Sequence, residues 1–379
     1  MTIPRPALLR RIQAVVNAPS SRIPVVLGGC GSGRTTLLRE LQAQLGTGHC
    51  QYVDLERAAT TPERFHRALC LDSPFVAGDV PLATASPRAA FEATAAFLTG
   101  ARAADGSPAT FLIDEVLEFR TFENFPGLRH IMRDLLAAIV TSGNRFVLTT
   151  RYVSRALRLL RDAAPRFEVI HVPPLDPAEL RHAIQANPMG LDPADIARAV
   201  HGLTDGHTGH AHALLTMMTE LSRQGGSDPV SALAAAFEPG APFASRVGWC
   251  YELRLHRARG YGALKGILGI LAEDEPLTLT EIALRLQRTP GSTKDYLSWL
   301  EDVDLVNVRQ KRYTFADPLL RLWVRLHCRP VPPGEDDIAS EVRQYALARL
   351  PHAEPALALA AAGPGDDDER RMWGIIEID

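Results

Sequence analysis

Apolar residues fall into two patterns along this chain. Short, nearly unbroken runs alternate with longer stretches in which they recur every three to four positions. The runs are Val25-Val26-Leu27, Gln51-Tyr52-Val53-Asp54-Leu55, Thr110-Phe111-Leu112-Ile113, Arg145-Phe146-Val147-Leu148-Thr149 and Phe167-Glu168-Val169-Ile170-His171-Val172. Runs this short and apolar predict strands buried on both faces. The clearest helical pattern extends from Leu128 to Val140, with Leu128, Ile131, Met132, Leu135, Leu136, Ile139 and Val140 on one face. Strands alternating with helices predict an α/β fold, a mostly parallel five-stranded sheet covered on both sides.

After Pro173-Pro174 the pattern becomes helical. Asp176-Pro177-Ala178-Glu179 and Asp192-Pro193-Ala194-Asp195 each place a capping acid, a first-turn proline and an acid three positions on. Helices continue to about Phe237, and Glu238-Pro239-Gly240-Ala241-Pro242 reads as a linker. From Gly262, three short helices are predicted: one carrying Leu264, Ile267, Leu268 and Leu271, then Thr280–Leu286 and Ser292–Leu300. Leu305-Val306-Asn307-Val308, the basic turn 309–312 and Tyr313-Thr314-Phe315 read as a hairpin, which completes the plan of a winged helix-turn-helix. A Pro-Gly-acid linker follows Arg329, then a helix from about Ile338 to Leu350. In the tail, GPGDDDERR has the composition of a disordered segment, and MWGIIEID is either a docking peptide or a stretch without a role.

The 379 residues suit two or three domains, and 46% hydrophobic content is ample for packed cores. A net charge of −3 gives no overall pull toward nucleic acid or anionic membrane. Cys30, Cys50, Cys70, Cys250 and Cys328 form no C-x-x-C pair, and the expectation is free thiols in a reducing cytosol. No stretch approaches the roughly 18 apolar residues of a membrane span, and MTIPRPALLRRIQ lacks the apolar centre of a signal peptide. The expected location is cytoplasmic.

The chemistry concentrates in IPVVLGGCGSGRTTLLREL, from Ile23 to Leu41, where a buried strand meets a glycine-rich turn and a helix opened by Thr35-Thr36. Such a turn aims backbone N–H groups and the positive end of the helix at an anion. Gly28, Gly29, Gly31 and Gly33, with Cys30 and Ser32 between them, let the backbone wrap a phosphate chain without Cβ clashes. The pattern G-x-x-x-x-G-K-[ST] asks for lysine where this chain has Arg34, and Thr35 stands where a hydroxyl holds Mg²⁺. Lysine occurs only at 265, 294 and 311, so 38 of the 41 basic residues are arginine and no lysine precedes 265. A second signal is FLIDE, an apolar strand ending in two acids. Asp114 is the candidate Mg²⁺ ligand, through water, and Glu115 the group that polarises an attacking water. A glycine turn alone can bind nothing, and an acid pair alone is common at strand ends. Their joint occurrence favours a nucleotide site with Mg²⁺.

These motifs resemble those of P-loop ATPases of the AAA+/STAND type, and more narrowly the prokaryotic ATPases that carry a helical lid and a C-terminal winged helix. The resemblance runs from about residue 5 to 329. It implies ATP or ADP as the nucleotide, and a three-layer P-loop NTPase fold with an extra strand between the loop strand and the acid-ended strand. The implied domains are a nucleotide-binding core at 1–174, a lid at 175–240, a winged-helix domain at 241–330, and a helix with an acidic tail at 331–379. VLTTR is similar to the family's sensor strand, which makes Arg151 a candidate γ-phosphate sensor; the alternative is a surface arginine at a helix start. TGHAHALL resembles the lid segment G-x-P-x-A-L, with Ala211 replacing the proline and His210 as the side chain in reach of the nucleotide; a capping or packing histidine is the alternative. PRPALL keeps Arg5 and Leu9 of the segment that lines the base pocket and lacks its acids. YTFADPLLRLWVRLH is similar to the end of the winged helix.

Arginine at 34 keeps the charge of lysine but is planar and longer. Binding should survive that exchange better than hydrolysis, which needs charge placed where the transition state develops it. The expectation is an ATP-binding switch with slow turnover, acting on a protein partner or in self-assembly. The alternatives are an ATP-regulated DNA-binding protein and a scaffold that holds nucleotide without hydrolysis. The presumed recognition helix, STKDYLSWLEDVDL, sets Lys294 against Asp295, Glu301, Asp302 and Asp304. A DNA reader needs a basic helix, so DNA is not favoured, although Arg309, Lys311 and Arg312 on the wing suit phosphate contacts.

Overall fold

A computed structural model describes residues 3–18, 22–78, 80–161, 166–186, 192–223, 226 and 228–350; the tail segments read from the sequence lie outside these residues. The first part of the chain runs α1 (Pro6–Val16), β1 (Ile23–Leu27), α2 (Arg34–Leu45), β2 (Cys50–Asp54), α3 (Leu55–Ala58), α4 (Pro62–Leu71), α5 (Pro87–Gly100) and β3 (Thr110–Asp114). A 3-10 helix (Val116–Asn124) then leads to α6 (Ile131–Thr141), β4 (Arg145–Thr150), α7 (Val153–Arg161) and β5 (Phe167–His171). The five strands are all parallel, in the order β2-β3-β4-β1-β5. β4 therefore lies between the glycine-loop strand and the acid-ended strand.

Alternation along the strands explains why both sheet faces are covered. Val26, Leu112, Val147 and Ile170 point to one face and meet Leu8, Leu9 and Ile12 of α1 and Leu37, Leu38 and Leu41 of α2. Val25, Leu27, Phe111, Ile113, Phe146 and Leu148 point to the other and join a larger core. Aromatic rings fill that second face. Phe111 stacks on Phe146 at 5.6 Å and meets Phe75 edge-on at 5.2 Å. The helix expected from Leu128 begins at Ile131. Gly127 adopts φ +78, and Leu128 is buried in the turn that precedes the helix.

Helices α8 (Pro177–Gln185), α9 (Pro193–Thr204), α10 (Thr208–Ser222) and α11 (Pro229–Ala236) follow the sheet. Asp176 and Glu179 form a complete capping box at the start of α8. α12 (Pro242–His256) was not foreseen. Pro242, read as the end of a linker, occupies the first helical turn, where its missing N–H is no loss. Then come α13 (Tyr261–Glu273), β6 (Leu277–Thr278), α14 (Leu279–Leu286), α15 (Pro290–Asp302), β7 (Val306–Arg309), β8 (Arg312–Phe315), α16 (Pro318–His327) and α17 (Glu335–Arg349). The strands form an antiparallel sheet, β6-β8-β7. β7 and β8 are joined by Gln310 and Lys311, both at positive φ (51 and 63), the backbone of a tight hairpin turn. α17 returns to α9, where the Tyr345 hydroxyl donates to the Leu203 carbonyl at 2.8 Å. Among the described residues no helix is long and apolar enough to cross a membrane.

Phe111→Ala should destabilise the core by about 3–5 kcal/mol, the usual range for removing a fully buried aromatic ring. Denaturant unfolding followed by circular dichroism measures it, and a loss below about 1 kcal/mol would show that the ring stack carries little of the stability.

Candidate functional site

The glycine turn occupies the carboxyl end of the parallel sheet, where open α/β sheets form their ligand crevice. Gly33 caps α2 with φ +93, a conformation that side chains with a Cβ rarely adopt. Gly28 has no room for a Cβ, which would lie 2.5 Å from Ser32 Oγ. Above the turn lies a cavity of about 360 Å³. Gly31, Ser32, Gly33, Arg34, Thr35 and Thr36 form one wall; Arg5, Thr208, Gly209, His212 and Arg246 form the other. Gly28, Gly29 and Cys30 do not line the cavity; they form the first half of the turn, below it.

β4 brings its last residues beside the acids that end β3. Asp114 Oδ2 accepts hydrogen bonds from Thr35 Oγ1 at 2.7 Å and the Tyr52 hydroxyl at 2.8 Å, and Oδ1 accepts from Thr149. The two expected Mg²⁺ ligands therefore touch each other. Burial and the Asp114 charge push the Tyr52 phenol above its ordinary pKa. Glu115 follows at φ 56 and ψ 49, the left-handed region that few non-glycine residues enter. Such strain persists where the surroundings over-determine it. Here the Glu115 N–H donates to Thr149 Oγ1 at 3.2 Å, and Glu115 Oε2 accepts the Arg151 N–H at 3.0 Å.

Two guanidinium groups converge on Glu115. Arg34 Nη2 donates to Oε1 at 2.8 Å, and Arg151 Nε lies 3.0 Å from the same oxygen. All three side chains are buried. Desolvation pushes the Arg34 pKa below its ordinary value, against the pull of Glu115 and Asp114. For Arg151, desolvation is outweighed by Glu115 and by an ion pair with Glu56, and its pKa is raised. Arg34 Nε and Nη1 and Ser32 Oγ are buried without a hydrogen-bond partner among the described residues. Unmet donors facing a glycine cradle fit a phosphate chain. The contact of Thr35 with Asp114, both oxygen donors, fits a small hard cation such as Mg²⁺.

The start of α10 contributes differently from expectation. His210 does not line the cavity; its Nε2 donates to Asp317 Oδ2 at 2.7 Å. The side chain is drawn to Asp317, which also caps α16 through the N–H groups of Leu319 and Leu320. His207 and Thr208 approach the loop instead. His207 Nε2 donates to the Cys30 carbonyl at 2.9 Å, and its Nδ1 accepts the His210 N–H at 3.3 Å. That pair of bonds requires the neutral Nε2–H ring. Burial, then His210, pushes the His207 pKa down to about 3. For Asp317, desolvation is outweighed by His210, His207 and Arg254, which hold its carboxyl well below the usual range. The His207 and His210 rings stack at 3.9 Å, so one continuous set of contacts runs from Cys30 to the start of α16.

Arg246 of α12 was missed. It lines the cavity and donates to the Gly209 carbonyl at 3.1 Å. One arginine among many, outside any motif, leaves no signal to find it by. The expectation of five free thiols also fails: Cys30 and Cys250 are disulfide-bonded, while Cys50, Cys70 and Cys328 are free. The pair is separated by 220 positions, so no local spacing announces it.

No family model matches the chain, and no curated protein matches it. Among solved structures, the Walker-type ATPase PABY2304 of Pyrococcus abyssi is similar over 85% of this chain and 96% of its own, at 17% identity and a TM-score of 0.62. The ORC1 protein of Aeropyrum pernix, solved in complex with DNA, matches over 92% and 96% at 19% identity and a TM-score of 0.47. The RuvB Holliday junction branch migration motor of Thermotoga maritima matches over 87% and 96% at 14% identity and a TM-score of 0.41. The first likeness shows that this chain shares the fold of that protein; the other two are too distant to carry an argument.

Since the His207 pKa lies near 3 in the folded chain and near 6.5 in a free side chain, only the unfolded chain takes up this proton between those values. Stability from this group is complete above pH 6.5 and falls as the pH drops toward 3. His207→Asn keeps a helix cap and removes the titration. Its melting temperature should fall less than that of the unmodified protein between pH 7 and pH 5, a difference worth ~1–2 kcal/mol. Parallel losses in the two proteins would mean that His207 is not held neutral.

Proposed function

We propose that this protein is an ATP-binding switch of the AAA+/STAND type with slow turnover, in which Arg34 stands in for the phosphate-binding lysine. The observation that carries this reading is the buried Arg34–Glu115 ion pair. The cation of the phosphate loop is held by the acid at the end of β3, the one placed to polarise water. In this reading the entering nucleotide draws Arg34 from the carboxylate to phosphate oxygens, which its planar group binds well. The exchange releases one of the two arginines on Glu115. Arg151 stays on the same acid and takes the role of γ-phosphate sensor.

In this reading Gly28, Gly29, Cys30, Gly31, Ser32 and Gly33 supply the backbone cradle, and Thr36 the first helical turn. Thr35 and Asp114 hold Mg²⁺, which when bound neutralises phosphate charge. Glu115 orients and deprotonates water once Arg34 has left it. Arg246, His212 and Arg5 replace His210 as the polar groups facing the nucleotide from the wall opposite the glycine turn.

The domains are a core at 1–174, a lid at 175–240, a winged-helix unit at 241–330 and a terminal helix with its tail at 331–379. The switch travels along His207, His210 and Asp317. A shift of the glycine loop moves the Cys30 carbonyl, and the stacked histidines pass that shift to the cap of α16. The partner is a protein or another copy of the chain. A use of α15 in packing rather than DNA reading is supported by its acids: Asp302 pairs with Arg158 of α7, and just beyond the helix Asp304 accepts from Ser154 Oγ at 2.6 Å.

Steady-state hydrolysis of ATP with Mg²⁺ tests the catalytic part. Glu115→Gln should remove turnover, and Arg34→Lys should raise it by about tenfold or more, since a compact ammonium leaves Glu115 free. If Arg34→Lys lowers the rate, the arginine is adapted to catalysis and the slow-turnover reading fails. For the relay, Asp317→Asn should leave nucleotide affinity within about threefold while weakening its coupling to α16. Amide hydrogen exchange in 318–327 with and without ATP measures this; an unchanged nucleotide response in the variant removes Asp317 from the path.

A further inference from the structure

The disulfide is placed where it controls the cavity. Cys30 stands in the glycine turn between Gly29 and Gly31. Cys250 belongs to α12, and the two Cα atoms are 6.6 Å apart, within the span a disulfide bridges. Arg246, one helical turn before Cys250, lines the cavity and donates to the Gly209 carbonyl. Gly209 in turn lies so close to the loop that a Cβ there would meet the Gly31 carbonyl oxygen at 2.8 Å. The loop, the start of α10 and the Arg246 face of α12 are thus held as one body, through a covalent bond that closes a 220-residue span. Both cysteines are partly exposed, so a small thiol can reach the bond.

We propose that Cys30–Cys250 is a reversible thiol–disulfide site that latches the phosphate cavity. In the bonded state the loop cannot separate from α12, and nucleotide enters and leaves slowly. In the reduced state α12 moves independently of the loop, and exchange is fast. Reduction needs a dithiol or two thiols. One thiolate attacks a sulfur of the bond and forms a mixed disulfide; a second thiol resolves it. Both cysteines end as thiols, and the reductant ends as its own disulfide. The regulation rests on the nucleotide reading above, whereas the bond itself does not.

The test uses the full chain, oxidised with glutathione disulfide or reduced with dithiothreitol, beside Cys250→Ser. Peptide mapping should find the linked Cys30–Cys250 peptide only in the oxidised protein. Association and dissociation of a fluorescent ATP analogue should both be slower by at least about tenfold in that state, and Cys250→Ser should be fast under either condition. Absence of the linked peptide after oxidation overturns the proposal, as do equal rates in the two states. If neither state binds nucleotide, the ATP reading fails, and amide exchange of residues 28–33 decides the latch: slower exchange only in the bonded protein supports it, and equal exchange overturns it.

Discussion

A buried carboxylate shared by two arginines organises the carboxyl end of this sheet. Glu115 accepts Arg34 from the glycine loop and Arg151 from the end of β4, and its backbone is held in a left-handed turn by Thr149. Removing any one charge would leave the others desolvated and unbalanced, a costly state in a protein interior. The glycine loop, β3 and β4 are therefore fixed relative to one another. That arrangement requires β4 to lie between β1 and β3, which the strand order supplies.

An arginine at 34 changes what the resting site does. A lysine at the same position has a compact ammonium, whereas the planar guanidinium of Arg34 reaches Glu115 and forms a charge-assisted hydrogen bond. Two of its nitrogens have no hydrogen-bond partner among the described residues, which suits them to an anion. Under the proposed function, the same groups oppose premature water activation and favour phosphate. Such a site, under that function, would respond to nucleotide occupancy more readily than it turns substrate over.

What the sequence reveals depends on how local the physics is. The five strands are legible because each is a short apolar run buried on both faces, and the glycine turn because φ above zero and a close approach need glycine. That Asp114, Glu115 and Arg151 lie side by side is legible because they stand at the ends of adjacent strands. By contrast, His210 has no local property that distinguishes a nucleotide contact from a partner of Asp317, 107 positions away. Arg246 and the Cys30–Cys250 bond depend on α12 folding back over the loop, and α12 was hidden by a proline that begins a helix instead of ending a linker.

Equilibrium ATP affinity in the presence of Mg²⁺, measured by calorimetry for the unmodified protein and for Glu115→Gln, tests the central claim most directly. If nucleotide must take Arg34 from Glu115, neutralising the acid removes the competitor, and the variant binds ATP more tightly, by about fivefold or more. Equal or weaker binding in the variant would contradict the exchange and leave the Arg34–Glu115 pair a purely structural contact.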